Sequence, residues 1–97
     1  MSLLERYNFE DLVNDAERMV FDELERQLDE LPDTDSCKTE AAVLDIAAYA
    51  LNHVPPMYRV TLLGRVYAGT LREKHGEQVR KAVTEGINRV RENPPIG

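Results

Sequence analysis

Residues 44–60 read LDIAAYALNHVPPMYRV. In the wider stretch 41–51 every position except Asp45 is apolar or Tyr49, and then the pattern stops at Asn52, His53 and a double proline, Pro55 and Pro56. A helix without a polar face is buried on most sides. Asn52 or His53 can take the left-handed backbone conformation that closes a helix. The prolines forbid its continuation and stiffen the exit. The stretch therefore predicts a buried helix over about 37–53, then a sharp change of direction. The following residues 58–62 hold Val60 and Thr61 and suit one short strand, paired with its own symmetry mate.

One carboxylate, Asp45, interrupts that helix. A buried carboxylate is costly unless paired or hydrogen-bonded. Asp45, Tyr49 and Asn52 fall at i, i+4 and i+7, so they share a face. The expectation is that Asp45 pairs with a basic side chain or with loop donors; the functional alternative is a polar strip bordering a ligand pocket.

Upstream, Phe9, Leu12, Val13, Ala16, Met19, Val20, Leu24, Leu28 and Leu31 recur at steps of three and four. That is one apolar stripe on a helix. Asn8 suits its N-cap, with Glu10 and Asp11 in the first turn, and Pro32 ends it. A helix over about 8–31 is expected. In the loop 32–40, Thr34, Asp35 and Ser36 are each candidate caps for the next helix. Downstream, Leu63, Val66 or Tyr67, and Leu71 mark a short helix over about 64–75, with Gly76 as cap or kink. Val79, Ala82, Val83, Ile87 and Val90 mark a last helix over about 77–92, ended by Asn93, Pro94 and Pro95. Gly86 lies on its apolar face, where another backbone can come close.

The whole is an all-α chain of about four helices with one possible short strand, a compact bundle in a single domain over 1–97. Ninety-seven residues support only a limited core, and the apolar helix has little protein to cover it. A homodimer with residues 41–51 as its hub, Asp45 and Tyr49 included, is the expected remedy. The net charge of −6 argues against sequence-blind binding to DNA. Residues 1–48 carry 14 acids and 4 bases, residues 49–97 carry 4 and 8. The second half is thus where an anion would bind, although mutual complementation of the halves accounts for the asymmetry as well. One cysteine, Cys37, excludes an internal disulfide. With no leader pattern and no apolar run that spans a bilayer, the cytoplasm is the expected compartment.

Catalytic signatures are missing. There is no nucleophile elbow, no phosphate loop, and neither a Cys-x-x-Cys nor a His pair at helical spacing to hold a metal. Cys37 lies near a helix start, which can lower a thiol pKa, and His53 and His75 stand alone. A non-enzymatic protein without cofactor is expected. What remains is a cluster of Tyr58, Arg59, Arg65 and Tyr67, with Arg72 and Lys74 beyond. Arginine forks suit phosphate and the guanine Hoogsteen edge, and tyrosine rings stack on bases. Core aromatics with surface arginines would give the same pattern.

The segment LDIAAYALNHVPPMY resembles the signature of the late competence development ComFB family, in which an Asp-aliphatic-x-Ala helix runs into Ala-Leu-Asn-x-aliphatic-Pro-Pro-x-Tyr. YNFEDLVNDAERMVFDEL is similar to that family's opening helix and AVTEGINRVRENPP to its closing one. The resemblance implies a small, mostly helical cytosolic bacterial protein that forms homodimers and acts in competence or motility regulation. It also implies a receptor for a cyclic dinucleotide, cyclic di-GMP ahead of cyclic di-AMP, with Asn52, Tyr58 and Arg59 in or beside the motif and Arg65 and Tyr67 following. Some relatives carry cysteines before the Asp-aliphatic helix, suggestive of zinc; here Ala42 and Thr39 stand three and six residues ahead of Asp45, and no metal is expected. The alternative is a protein–protein adaptor without a nucleotide ligand.

Overall fold

A computed structural model describes residues 1–60 and 68–95. Helix α1 is the single turn Leu3–Arg6, capped by Ser2. Strand β1, Val13–Asn14, leads directly into helix α2, Asp15–Asp29. A 3-10 turn, Ser36–Lys38, precedes helix α3, Glu40–Asn52. Strand β2 is Tyr58–Arg59, and helix α4 is Ala68–Glu92. The chain is mostly helical, with one two-stranded sheet among the described residues.

The first long helix starts at Asp15, where the sequence pattern places its start at residue 8. Asn8 accepts only from the Glu10 N–H, at 2.8 Å, in a local Asx turn. The true cap is Asn14, whose Oδ1 accepts from the Ala16 N–H at 3.1 Å. Val13 and Asn14 are drawn out of helical geometry by antiparallel pairing, Val13 with Arg59 and Asn14 with Tyr58. The partner of the short strand is therefore β1 of the same chain rather than a symmetry mate. A ladder of two residues is marginal by itself. It is clamped where the Met57 N–H donates to Asn14 Oδ1 at 2.8 Å and the Asp15 N–H donates to the Met57 carbonyl at 2.8 Å.

Helices α2, α3 and α4 enclose the core. Ala16, Val20 and Leu24 face Ala42, Ile46, Ala47 and Ala50, and Val79, Ala82, Val83, Ile87 and Val90 close the third side. The expected break at Gly76 does not occur. The apolar spacing of Leu71, Val79 and Val83 runs through it, and a mid-helix glycine costs only about 1 kcal/mol. Gly86 does mark a close approach: a Cβ there would lie 3.2 Å from both Cγ2 and the carbonyl oxygen of Ile46. Helix α3 ends at His53 with φ −117°, so neither Asn52 nor His53 needs the left-handed conformation.

The cap of α3 is Thr39, which accepts from the Ala42 N–H at 3.2 Å. Asp35 instead caps the 3-10 turn, accepting the Cys37 N–H at 2.9 Å, while Arg91 of α4 donates to it at 3.0 Å. The Cys37 N–H, and after it the Arg91 charge, hold the Asp35 carboxyl below its ordinary 3.8. The folded chain thus favours the charged form. The stabilisation is complete above the unfolded pKa and is lost as pH falls through the lowered folded one. Asp35→Asn keeps a capping oxygen and removes the charge. It is expected to melt below wild type at pH 7, with the gap closing by about pH 2, in thermal melts followed across that range.

Candidate functional site

The strand pair and the first half of α2 form the walls of a groove of about 750 Å³. It is lined by Leu12 and Val13 of the approach to the sheet, by Asp15, Glu17, Arg18, Phe21 and Asp22 of α2, and by Tyr58 and Arg59 of β2. Tyr58 is 64% exposed and Phe21 is 48% exposed. Tyr58 alternates outward along β2 while Arg59 turns in, the period-two consequence of the short strand. Two aromatic faces over one groove offer stacking surfaces to a planar ring.

Arg59 does not present a bare guanidinium. Its Nε donates to both carboxylate oxygens of Asp15, at 3.0 and 2.8 Å, with both side chains largely shielded from solvent. The pair ties β2 to the first turn of α2. Replacing Arg59 therefore leaves a shielded carboxylate without this partner, and an Arg59→Ala variant tests the fold as well as any ligand role. Arg18 is exposed on the same groove. Arg72 of α4 lies 3.7 Å from Asp22 at its edge. The acids Asp15, Glu17 and Asp22 balance Arg18, Arg59 and Arg72, so the groove and its edge carry no net excess of positive charge.

The other expected site residues fall elsewhere. Asp45 is exposed and makes no ion pair or hydrogen bond among the described residues, so the tie to a basic side chain is not formed there. The face of α3 that holds Leu44, Asp45 and Ala48 points outward, because α2 and α4 already occupy the other sides. Tyr49 belongs to the α3–α4 contact. Its ring stacks on His53 with centroids 3.9 Å apart, Arg89 lies 5.1 Å over it, and its hydroxyl donates to Glu85 at 3.4 Å. Asn52 donates to the Ala48 carbonyl at 3.0 Å, and His53 Nδ1 to that of Tyr49 at 2.7 Å. Neither Asn52 nor Tyr49 lines the groove with Tyr58. Arg65 and Tyr67 lie outside the described residues, as do Thr61 and Leu62 of the expected strand.

Arg18 and Phe21 are among the groove residues that the sequence pattern does not single out, with Asn14, Asp15, Glu17 and Asp22. The available signal is that Phe21 is a large aromatic off the apolar stripe of Val20 and Leu24, a position with no use in the core. Cys37 is fully buried, and burial pushes its thiol up, the opposite of the lowering that a helix start can give. Among the described residues no group of three or more His, Cys, Asp or Glu side chains is placed to hold a metal, and no helix is long and apolar enough to cross a membrane.

No curated protein matches the chain. A protein family does: the one described as late competence development protein ComFB matches residues 13–94, which takes in the sheet, all three long helices and the whole groove wall from Val13 onward.

Proposed function

The chain belongs to the late competence development protein ComFB family and is thereby a competence-related regulatory protein, and from that premise we propose that it is a non-enzymatic receptor for a cyclic dinucleotide, cyclic di-GMP ahead of cyclic di-AMP. The ligand lies in the groove beside the strand pair. Tyr58 and Phe21 stack on a base, and Arg18, with Arg72 at the edge, meets phosphate or the guanine edge. Arg59, held by Asp15, keeps β2 and its Tyr58 in place beside the ligand. The protein acts as a homodimer, since a two-fold ligand suits a two-fold protein. Occupancy shifts the balance between states that bind a downstream partner differently.

The observation that carries this reading is the exposed Tyr58 ring beside an arginine on a groove large enough for such a ligand. Ligand sites of this kind have volumes of about 300–1,000 Å³. Titration calorimetry with cyclic di-GMP, and with cyclic di-AMP beside it, tests the proposal. Saturable binding at micromolar or tighter dissociation constant is expected. Tyr58→Ala removes a stacking face worth about 1–3 kcal/mol and weakens binding about tenfold or more, with an unchanged circular dichroism spectrum. No heat and no thermal shift with either nucleotide overturns the receptor reading.

The second reading, an adaptor, is favoured by the row of exposed acids on α2, among them Glu17, Asp22, Glu25 and Asp29. An adaptor would be indifferent to Tyr58→Ala and sensitive to reversal of those charges.

A further inference from the structure

Between α2 and α3 runs an apolar groove of about 480 Å³. Leu24, Leu28, Val43 and Ala47 form its floor, and Phe21 and Leu44 its lips, 48 and 63% exposed. The rim is acidic. Glu25 and Asp29, one helical turn apart on α2, line the groove, and Glu40 stands one turn ahead of Leu44 on α3. All three are exposed, and none has a side-chain hydrogen bond or ion pair among the described residues. Lys38, the one base that lines the groove among the described residues, is already held by the Leu31 carbonyl at 2.7 Å and by Asp33 at 3.4 Å. Residues 21–48, which build the groove, carry nine acids against two bases, a balance of −7 in a chain whose total is −6. The acidity of the protein is thus concentrated around its most apolar exposed cleft.

We propose that this groove docks a short amphipathic helix of another protein, with apolar anchors at i, i+3 or i+4 and i+7 and with Lys or Arg beside them. In the function proposed above that helix belongs to the downstream partner. Its regulatory role rests on that reading, whereas the docking itself needs no nucleotide.

Length, backbone chemistry and charge select this occupant. From Phe21 to Leu28 the wall of α2 rises about 10 Å, two helical turns, which is the span that anchors at i and i+7 of a docked helix cover. Both walls are helices, whose backbone groups are paired within themselves. The groove therefore offers no strand edge, and an occupant has to satisfy its own N–H and C=O groups, as a helix does. The sign of the rim then fixes the polar residues. Glu25, Asp29 and Glu40 attract Lys and Arg at the border of the apolar contact, which steers encounter and sets orientation. The same rim repels nucleic acid and anionic membrane surfaces. It also disfavours the arm of this chain, residues 1–12, in which Glu5, Glu10 and Asp11 outnumber Arg6.

The probe is a fluorescent stapled helix of leucine and lysine, with leucines at i, i+3, i+4 and i+7; its control has glutamate in place of every lysine. Anisotropy titrations at physiological ionic strength are expected to give the lysine helix a micromolar dissociation constant and the glutamate helix one at least about tenfold weaker. Glu25→Lys/Asp29→Lys is expected to weaken the lysine helix about tenfold and to strengthen the glutamate helix. Leu44→Gln removes an apolar lip without a change of charge and is expected to weaken the lysine helix about fivefold. These positions are exposed, so circular dichroism is expected to stay unchanged. Glu10→Lys/Asp11→Lys makes the same change in net charge away from the groove and is expected to leave binding within about twofold of wild type. An equal loss in that variant shows indiscriminate attraction to an acidic protein and overturns the proposal. Equal binding of the two helices, or binding of neither, overturns it too. A wild type that self-associates in sedimentation, is dissociated by Leu44→Gln and binds no helix gives the groove to a second copy and overturns it equally. Titration of wild type with cyclic di-GMP is read on its own, so the receptor and the docking groove stand or fall separately.

Discussion

Gly86→Leu is expected to lower the melting temperature by about 10–20 °C. Gly86 is buried where α4 crosses α3, and a bare Cβ there already lies 3.2 Å from the Ile46 carbonyl oxygen and 3.3 Å from Tyr49 Cδ1. A methyl group is tighter than ordinary contact; three further carbons require the helices to part. Overpacking of this kind costs about 1–3 kcal/mol, occasionally more, and one neighbour here is backbone, which cannot rotate away. Leucine regains about 0.8 kcal/mol of helix propensity, which does not offset it. In a chain of this size each kcal/mol moves the melting temperature by about 4–8 °C. Gly86→Ala sets the propensity gain against a smaller clash and is expected to stay within about 5 °C of wild type. Thermal melts of both variants check the pair, and a wild-type melt for Gly86→Leu would show that α3 and α4 do not meet as described.

Asn14→Ala is expected to cost about 2–4 kcal/mol in chemical denaturation. One side-chain oxygen serves two donors there, the Ala16 N–H that opens α2 and the Met57 N–H that follows the double proline. Losing a cap costs about 1 kcal/mol, and leaving the Met57 N–H unpaired costs about 1–3 kcal/mol more. Asn14→Asp keeps the oxygen that accepts both bonds and is expected to lie within about 1 kcal/mol of wild type. The consequence extends to function. Asn14 holds β2 against α2, and β2 carries Tyr58, so the alanine variant is also expected to weaken nucleotide binding in the titration described above.

The apolar stripe of α2 from Ala16 to Leu28, its stop before Pro32, the stop of α3 before the double proline and the close approach at Gly86 all follow from rules that act within a few residues. The start of α2 does not. Asn8 and Asn14 are both good caps, and each is followed three residues later by an acid, Asp11 and Glu17. Local rules cannot choose between them. The choice is made by a ladder to Tyr58 and Arg59, more than forty positions along the chain. Asp45 illustrates a different limit. Composition says that α3 is apolar almost all round, but which arc faces outward depends on where α2 and α4 come to rest, and that arc takes Leu44 and Asp45. Gly76 shows a third: one weak helix former does not interrupt a helix whose apolar spacing continues on both sides.

For the candidate site, sequence chemistry finds Tyr58 and Arg59 and the structure places both on one groove. It does not reveal that Arg59 is held by Asp15, because that pairing spans the chain from the first turn of α2 to β2. Asn52, by contrast, is near Tyr58 in sequence and apart from it in the groove, since the two prolines between them redirect the backbone.

Cys37 is the sole thiol in the chain, it has no exposed surface, and the turn that carries it packs against both α3 and α4. A thiol reagent can reach it only while that turn has lifted away. Its rate of alkylation in the native protein therefore measures how often the α3 end of the domain breathes, without any introduced label. The groove that carries Tyr58 lies on the strand side of α2. A ligand that slows the reaction at Cys37 would be acting through the length of the helix bundle, so this one sulfur atom serves as a built-in gauge of coupling between the two ends of the molecule.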